Sequence, residues 1–394
     1  MPASIYIVSH FFYPFGGVGA LRSGYLADYF ADQGWRVTVF KADDSFYQNK
    51  VTTPRDLTAL RVVTVRPPTT ETPDDKTWRA AYERALTTAL ATDERPTAIL
   101  FSAGPYFYLP LVPILERDHD VRCVIDFRDT WLNIVGLYER GRSWTLKKRL
   151  YYLQLLVSDP LRRAIKTASA VLTVTSGEAN TLRTHYGRGI EDRLHVVRNG
   201  YDERVLEQLA PPAPLPTDRL RVGIFGKFAY YDEPSAAALL AALETLAQER
   251  PVELLLIGAA ESAFTSHPAS PQLTVRATEF VDYRAGLEML QSCHVCALNN
   301  RSANALGTKL FDYVGLNKPV LAFVHRDSSI GDFLEPFERA FVVNTAADCL
   351  AALRAIMTAG DYSLGSAALR SASSRRQQAQ LLQGIIERIS SPNP

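Results

Sequence analysis

Short apolar segments alternate with segments of helical periodicity through the first half of the chain. The apolar segments cover residues 5–9, 35–40, 98–101, 122–126, 170–174 and 195–198. Between the first two of them, apolar side chains recur at nearly helical spacing, at Leu21, Tyr25, Tyr29 and Phe30. Gly34 then marks the end of that helix. Because strands that alternate with helices are typical of a parallel, doubly wound sheet, this half predicts a Rossmann-like α/β domain.

The same alternation restarts after a proline-rich segment. Residues 206–220 contain Pro211, Pro212, Pro214 and Pro216, which is typical of an interdomain linker. Beyond it the pattern predicts strands at 221–225, 252–257, 295–298, 320–324 and 341–343, and helices at 235–249 and 371–389.

The domain organisation follows from these segments. We expect a first domain over 1–205, the linker over 206–220 and a second domain over 221–370. A C-terminal helix over 371–394 follows, for which a return to the first domain is an option. The predicted fold is two doubly wound Rossmann-like domains that face each other across a cleft, the natural place for a ligand.

Composition narrows the classes of function. Lys and Arg together number 43 and Asp and Glu 42, so a net charge of +1 gives no case for a nucleic-acid partner. Four cysteines in 394 residues imply no disulfide framework, although Cys293 and Cys296 have a metal-type spacing that lacks a second Cys/His pair. The sequence shows no signal peptide and no apolar run of the ~18 residues that a spanning helix needs. We therefore expect a cytoplasmic protein.

Residues 304–319 contain the chain's most suggestive chemistry. A helix that begins near Thr308 would place Lys309 and Asp312 on one face, and Gly307 before it would leave backbone N–H groups free for an anion. A cation, free amides and a carboxylate suit a nucleoside diphosphate. The cation and amides would hold its phosphates, and the carboxylate would accept hydrogen bonds from its ribose hydroxyls. A Lys/Asp pair at this spacing is also common on a solvated helix face.

Other candidates follow the ends of predicted strands, where open α/β sheets bind ligands. Lys227 comes directly after the strand at 221–225, and Arg128 and Asp129 follow the strand at 122–126. The latter two are a candidate catalytic pair or a structural ion pair. Gly16 and Gly17 lie in the turn after the first strand, where they serve either a phosphate contact or a tight turn. The turn lacks the G-x-G-x-x-G spacing of a nicotinamide site.

Several motifs together resemble the retaining glycosyltransferases of family 4, which have the two-domain GT-B fold. They are YPFGG after the first strand, SAGPYFYLPL at 102–111, VIDFRDTW at 124–131, RNGYD at 198–202 and TKLFDYVGLNKPVLA at 308–322. The third resembles a sub-group that carries D-F-R-D-P-W, with Thr130 here in place of the proline. In this order the motifs cover almost the whole chain.

The resemblance implies roles for individual residues. Asn304 and Asp312 stand where many members carry two glutamates, the first on the transferred sugar and the second on the ribose. Lys227 stands where the family usually has an arginine on the diphosphate, and Val281 lies where the nucleotide base binds. The implied donor-binding residues are Gly16, Gly17, Lys227, Val281, Asn304, Gly307, Thr308, Lys309, Leu310 and Asp312. With the strand-end positions taken into account, the candidate catalytic residues are Arg128, Asp129, Lys227 and Lys309.

The resulting prediction is a retaining glycosyltransferase that uses a nucleoside-diphosphate sugar as co-substrate, with no resident cofactor and no metal. The acceptor is a saccharide, a lipid-linked molecule or a small natural product. One alternative is a sugar-nucleotide epimerase, which should carry a cluster of cleft acids that the sequence does not clearly show. The other is a degenerate transferase that binds a nucleotide sugar without turnover, and Asn304 in place of an acid keeps it open. The basic stretch at 144–166 allows peripheral membrane contact, but a buried helix with one charged face is the preferred interpretation.

Overall fold

The chain forms two compact units in a computed structural model. The structure describes residues 3–51, 55–68, 73–93, 95–130, 161–268 and 270–391, together with Leu132, Leu146, Leu150 and Leu153. The first unit comprises Met1–Arg198 and Ala379–Pro394, and the second comprises Asn199–Gln378. Most of the basic stretch at 144–166 lies outside the described residues.

The first unit is built on a parallel sheet. Its strands are β1 (Ser4–Val8), β2 (Arg36–Ala42), β3 (Leu60–Val65), β4 (Ala98–Ala103), β5 (Cys123–Phe127), β6 (Ala170–Thr173) and β7 (Leu194–Val196). Its described helices are α1 (Leu21–Asp32), α2 (Asp75–Thr92), α3 (Val112–Asp118), α4 (Arg162–Thr167) and α5 (Ser176–Tyr186). The strand order β3-β2-β1-β4-β5-β6-β7 identifies a doubly wound sheet whose order reverses between β1 and β4.

The second unit repeats this architecture. Its strands are β8 (Leu220–Phe225), β9 (Val252–Ile257), β10 (Leu273–Ala277), β11 (Val295–Asn299), β12 (Val320–Phe323) and β13 (Ala340–Val342). Its helices are α6 (Glu203–Glu207), α7 (Glu233–Ala247), α8 (Ser262–Thr265), α9 (Tyr283–Gln291), α10 (Thr308–Gly315), α11 (Ser329–Leu334), α12 (Ala346–Ala359) and α13 (Ala367–Ala372). The strand order is β10-β9-β8-β11-β12-β13, and it reverses between β8 and β11.

Each sheet buries both faces, which explains why its central strands are continuous apolar runs. Successive side chains of a strand point to opposite faces. In β1, Tyr6 and Val8 join one core cluster while Ile5 and Ile7 join the other. In the second unit, Leu254 and Leu256 pack on one side of β9 and Leu255 and Ile257 on the other.

The C-terminal residues complete the core of the first unit. Helix α14 (Arg375–Ser390) buries Ala379, Leu382, Ile385 and Ile386 in the cluster that contains Ile5 and Ile7. The Tyr29 hydroxyl donates to Gln383 Oε1 at 2.8 Å. The single helix predicted over 371–389 is wrong in detail, because α13 ends at Ala372 and α14 begins at Arg375.

The α/β fold predicted from the sequence is confirmed, with two strands added. Strands β3 and β10 lie at the edges of their sheets and were absent from the predicted set. Edge strands are less buried than central ones, so their apolar pattern is weaker; β3, for instance, buries only its last residue, Val65, fully. In the described part of the chain, no helix is both long enough and apolar enough to span a membrane.

Candidate functional site

The reversal of strand order in the second unit brings two distant segments together. Strands β8 and β11 are neighbours, and their connections leave the sheet in opposite directions. Residues 226–231 follow β8, and residues 300–307 follow β11 and lead into α10. Since ligands of open α/β sheets bind beyond the carboxyl ends of the strands at such a switch point, this is the candidate site.

The N-terminus of α10 has no side-chain cap. Gly307 is its N-cap, with φ −67° and ψ 153°, and makes no side-chain capping hydrogen bond. A Cβ placed at Gly307 would meet no atom within 4 Å, so this helix end is open. The predicted start of the helix at Thr308 is confirmed. Free amides at a helix N-terminus carry partial positive charge and suit a phosphate.

Two lysines lie at this helix end, Lys309 in the first turn of α10 and Lys227 in the loop after β8. The Lys309 ammonium donates to the Lys227 carbonyl oxygen at 2.6 Å and lies 5.2 Å from the centroid of the Tyr231 ring. The exposed Lys227 extends from the loop after β8, and its Nζ lies 4.2 Å from the Tyr230 ring centroid. Desolvation lowers the pKa of Lys309 to about 8, and the Glu261 carboxylate opposes that shift. Both lysines are thus positioned by neighbours on their own unit.

Glu261 orders the loop that carries Lys227, and sequence analysis missed it. Its carboxylate accepts hydrogen bonds from three consecutive backbone N–H groups, those of Phe228 and Tyr230 at 2.7 Å and of Ala229 at 3.0 Å. Glu261 lies in the connection after β9, about thirty residues from the loop it holds. No local sequence signal marks a carboxylate that binds backbone amides on a neighbouring connection.

Asp312 lies on the buried side of the same helix, with 4% of its surface exposed. The Tyr283 hydroxyl donates to Asp312 Oδ1, and the Tyr283 ring stacks on Phe225 with an interplanar angle of 17°. Desolvation raises the pKa of Asp312 to about 6, Asp202 adds to the rise, and Tyr283 and Arg375 oppose it. The hydrogen bond from Tyr283 and the charge of Arg375 therefore offset only part of the cost of burying the ionised carboxylate.

The other predicted donor residues of this unit lie on the same two segments or beside them. Leu310 is buried in the core cluster beneath α10, where it packs rather than faces solvent. Val281 is half-buried and packs on that cluster just before α9. Asn304 and Thr308 are half-buried in the segment that leads into α10 and in its first turn.

The predicted residues of the first unit gather at its own switch point. Gly16 and Gly17 follow β1, and the Gly16 N–H donates to the Asn49 carbonyl at 2.9 Å. A Cβ at Gly17 would overlap the Phe15 ring. Packing against that ring therefore requires glycine at position 17, whatever further role it has.

Arg128 holds two loops at that switch point. Its Nη1 donates to the Gly19 carbonyl at 2.7 Å, and its Nη2 donates to the Gly104 carbonyl at 2.9 Å. These loops follow β1 and β4, the strands between which the order reverses. Asp129 is exposed next to it; desolvation raises the pKa of its carboxyl and Arg128 opposes the rise. Arg128 thus positions backbone, while Asp129 presents a side chain.

Sequence analysis missed a buried ion pair between Asp126, which lies in the same motif, and Arg22 on α1. Asp126, with 1% of its surface exposed, accepts from Arg22 Nε at 2.8 Å and from Nη2 at 3.0 Å. Arg22 also donates to the carbonyl oxygens of Val197 and Arg198. Bidentate pairing of a buried carboxylate with arginine fixes geometry as well as charge. The pair ties α1 to the end of β5 and to the residues after β7.

Metal ligands do not cluster in the described ranges, which hold no group of three or more His, Cys, Asp or Glu side chains that could bind an ion. Cys293 and Cys296 are both buried in the core. Burial raises the pKa of the Cys293 thiol to about 12, so this pair packs as small apolar residues.

The buried Asp312 carboxyl predicts a pH-dependent stability. Its folded-state pKa lies above the unfolded value, so the stability it contributes is present below about pH 4 and is lost as pH rises through about 6. The Asp312→Asn variant cannot ionise at this position. Between pH 4 and pH 8 its free energy of unfolding should therefore rise by about 1–3 kcal/mol relative to that of the native chain. Urea unfolding followed by circular dichroism measures this difference. The exposed control Asp218→Asn should show no gain, and an equal profile for Asp312→Asn would contradict the assignment.

Comparison with known proteins agrees with this architecture. Residues 21–205 match the model of Glycosyltransferase Family 4. No curated protein has a significantly similar sequence. The fold is similar to that of sucrose-phosphate synthase from Thermosynechococcus elongatus, with a TM-score of 0.64 and 15% identity over 98% of this chain and 97% of that chain.

Two further solved structures share the fold. One is the catalytic domain of starch synthase IV from Arabidopsis thaliana bound to ADP and acarbose, with a TM-score of 0.60 and 14% identity over 99% of this chain and 100% of that chain. The other is WaaG, a glycosyltransferase involved in lipopolysaccharide biosynthesis, with a TM-score of 0.57 and 13% identity over 98% of each chain. The family model supports Glycosyltransferase Family 4 for residues 21–205, and the whole chain has the fold of the GT-B glycosyltransferases.

Proposed function

We propose that the protein is a retaining glycosyltransferase that takes its sugar from a nucleoside-diphosphate donor. The observation that carries this proposal is the grouping of Lys227, Lys309 and the uncapped N-terminus of α10 at the switch point of the second unit. Cations and free amides at one place suit the diphosphate, which is the leaving group of the reaction. The starch synthase domain of the same fold binds ADP, which supports a nucleoside diphosphate as the ligand class.

The two lysines supply the electrostatic part of catalysis. As the bond between sugar and diphosphate breaks, negative charge grows on the phosphate oxygens. Fixed positive groups aimed at that charge lower the barrier without having to reorganise. Lys309 is held at the Lys227 carbonyl before any ligand arrives, so its ammonium is already in place. Gly307 and Thr308 would add backbone amides at the same oxygens.

The remaining parts of the donor are the ribose, the base and the transferred sugar. We assign the ribose hydroxyls to Asp312, because Tyr283 donates to its Oδ1 and its Oδ2 can accept from the ligand. Val281 is assigned to the base and Asn304 to the transferred sugar. Asn304 replaces a negative charge with an amide, so it can donate to a sugar hydroxyl as well as accept from one.

In the first unit, Arg128 is better described as a positioning residue than as a catalytic one. Both of its Nη atoms bind backbone carbonyls, those of Gly19 and Gly104. Asp129 keeps its carboxyl at the surface and stays a candidate for contact with a substrate. Gly16 and Gly17 stay candidates for contact with the donor phosphate. We propose that the acceptor is a saccharide, a lipid-linked molecule or a small natural product. We also propose that the protein acts in the cytoplasm, and its four free, buried cysteines are consistent with a reducing compartment.

The direct test is turnover with a panel of sugar nucleotides and acceptors, performed in excess EDTA. We expect transfer with retained anomeric configuration, read by NMR of the product, and activity that persists in the chelator. Release of an epimerised sugar nucleotide instead would favour the epimerase alternative. Binding of the donor without any product would favour the degenerate transferase. Activity that disappears in EDTA and returns with Mn²⁺ would overturn the metal-independent assignment.

The lysines give a second prediction. Lys227→Ala and Lys309→Ala should each lower kcat by roughly 10²–10³, the loss typical of removing one preorganised group from a developing charge. The control is Arg354→Ala, which removes an exposed cation of the same unit that pairs with Glu249. Steady-state kinetics on folded variants measures the effect. Equal kcat values for Lys309→Ala and Arg354→Ala would remove Lys309 from the site.

A further inference from the structure

The loop after β8 uses its own backbone donors in an unusual way. Three consecutive N–H groups, those of Phe228, Ala229 and Tyr230, converge on the single carboxylate of Glu261. Successive N–H groups that converge in this way form a concave anion site. The anion that fills this site belongs to the chain itself.

Glu261 reaches this loop because of the strand order. It lies in the connection after β9, and β9 pairs directly with β8 in the sheet. Gly258, with φ +80°, begins that connection. Glu261 is the N-cap residue of α8, yet its side chain makes no capping hydrogen bond to that helix. The carboxylate therefore serves the neighbouring loop instead of its own helix.

The same carboxylate acts on the lysine pair. Lys309 donates to the carbonyl of Lys227, the residue directly before the three bound amides. The groups that face the Lys309 ammonium are thus this carbonyl, the Tyr231 ring and the Glu261 carboxylate, which raises the pKa of the lysine against the larger effect of desolvation. One glutamate thus accepts hydrogen bonds from the loop and also opposes the lowering of the Lys309 pKa.

We propose that Glu261 is a positioning residue that holds the loop of residues 226–231 so that Lys227 and Lys309 both face the donor diphosphate. The inference rests on the proposed function, because it assumes a diphosphate at this switch point. It also implies that the amides of Phe228, Ala229 and Tyr230 do not bind the donor, since the glutamate already occupies them. The diphosphate is then left to the lysines and the first turn of α10.

A competing role would have the opposite effect on binding. If the carboxylate merely imitated a phosphate and blocked an anion site, its removal would open that site and strengthen binding of a nucleoside diphosphate. If it positions the lysines, its removal weakens binding and slows turnover. The sign of the change therefore distinguishes the two roles.

The first test concerns the free protein. Glu261→Gln keeps the size of the side chain and removes its charge, Glu261→Ala removes the acceptor, and Glu249→Gln changes an exposed glutamate of the same unit. Hydrogen–deuterium exchange of residues 228–230 should quicken by at least about 10-fold in both Glu261 variants and stay unchanged in Glu249→Gln. Unchanged exchange in Glu261→Ala would overturn the proposal without any ligand.

The second test concerns the donor. In Glu261→Gln we expect kcat/KM for the donor to fall by about 10–100-fold, as for a small misplacement of binding groups, while KM for the acceptor is unchanged. The basic limb of the kcat/KM profile should move to lower pH, because the carboxylate no longer supports protonation of Lys309. An unmoved limb, or tighter binding of UDP, ADP or GDP by calorimetry, would overturn the positioning role. Failure of the native chain to bind any of these nucleotides would instead overturn the proposed function, and the positioning role of Glu261 with it.

Discussion

The hydrogen bond from the Lys309 ammonium to the Lys227 carbonyl brings together the two cations on which the candidate site depends. These lysines are far apart in sequence, and they meet because β8 and β11 are neighbours where the strand order reverses. Lys309 itself lies in the first turn of α10, two residues after the N-cap Gly307. The constraint is topological: once a doubly wound sheet forms, the connections after these strands must diverge and leave a place for a ligand.

The site also carries costs that packing alone would avoid. Asp312 is buried with a pKa raised to about 6, so at neutral pH the fold holds a carboxylate that its surroundings only partly stabilise. Lys309 loses hydration beside a helix end that already carries partial positive charge. A bound diphosphate would offset the lost hydration of Lys309, and ribose hydroxyls would offset the burial of the Asp312 carboxylate. Residues that are costly in the free protein and satisfied by one ligand are typical of a functional site.

Much of this was accessible from the sequence, and the reasons for the omissions are physical. Central strands bury both faces and appear as apolar runs, and the motif around Lys309 shows the helix start at Thr308 directly. Strands β3 and β10 were missed because exposed polar residues interrupt their apolar runs, as Arg61 does in β3 and Arg276 in β10. Side-chain partners that depend on strand order leave no local signal.

Three groups illustrate that limit. Glu261 binds a loop about thirty residues earlier, Tyr283 donates to Asp312, and Arg22 pairs with Asp126 across more than a hundred residues. Arg128 was recognised as important, but the sequence could not show that its guanidinium binds the backbone of two loops. Sequence patterns thus located the segments of the site, and only the fold showed which residues hold them in place.

The central claim is that the second unit binds a nucleoside diphosphate at its switch point, and a crystal structure of the chain with UDP, ADP or GDP tests it most directly. The account predicts phosphate oxygens within hydrogen-bonding distance of Lys227 Nζ, Lys309 Nζ and the first amides of α10, with the ribose at Asp312 and Glu261 still on its three amides. A diphosphate bound elsewhere, or one that displaces Glu261 from the loop while both lysines face away, would contradict it.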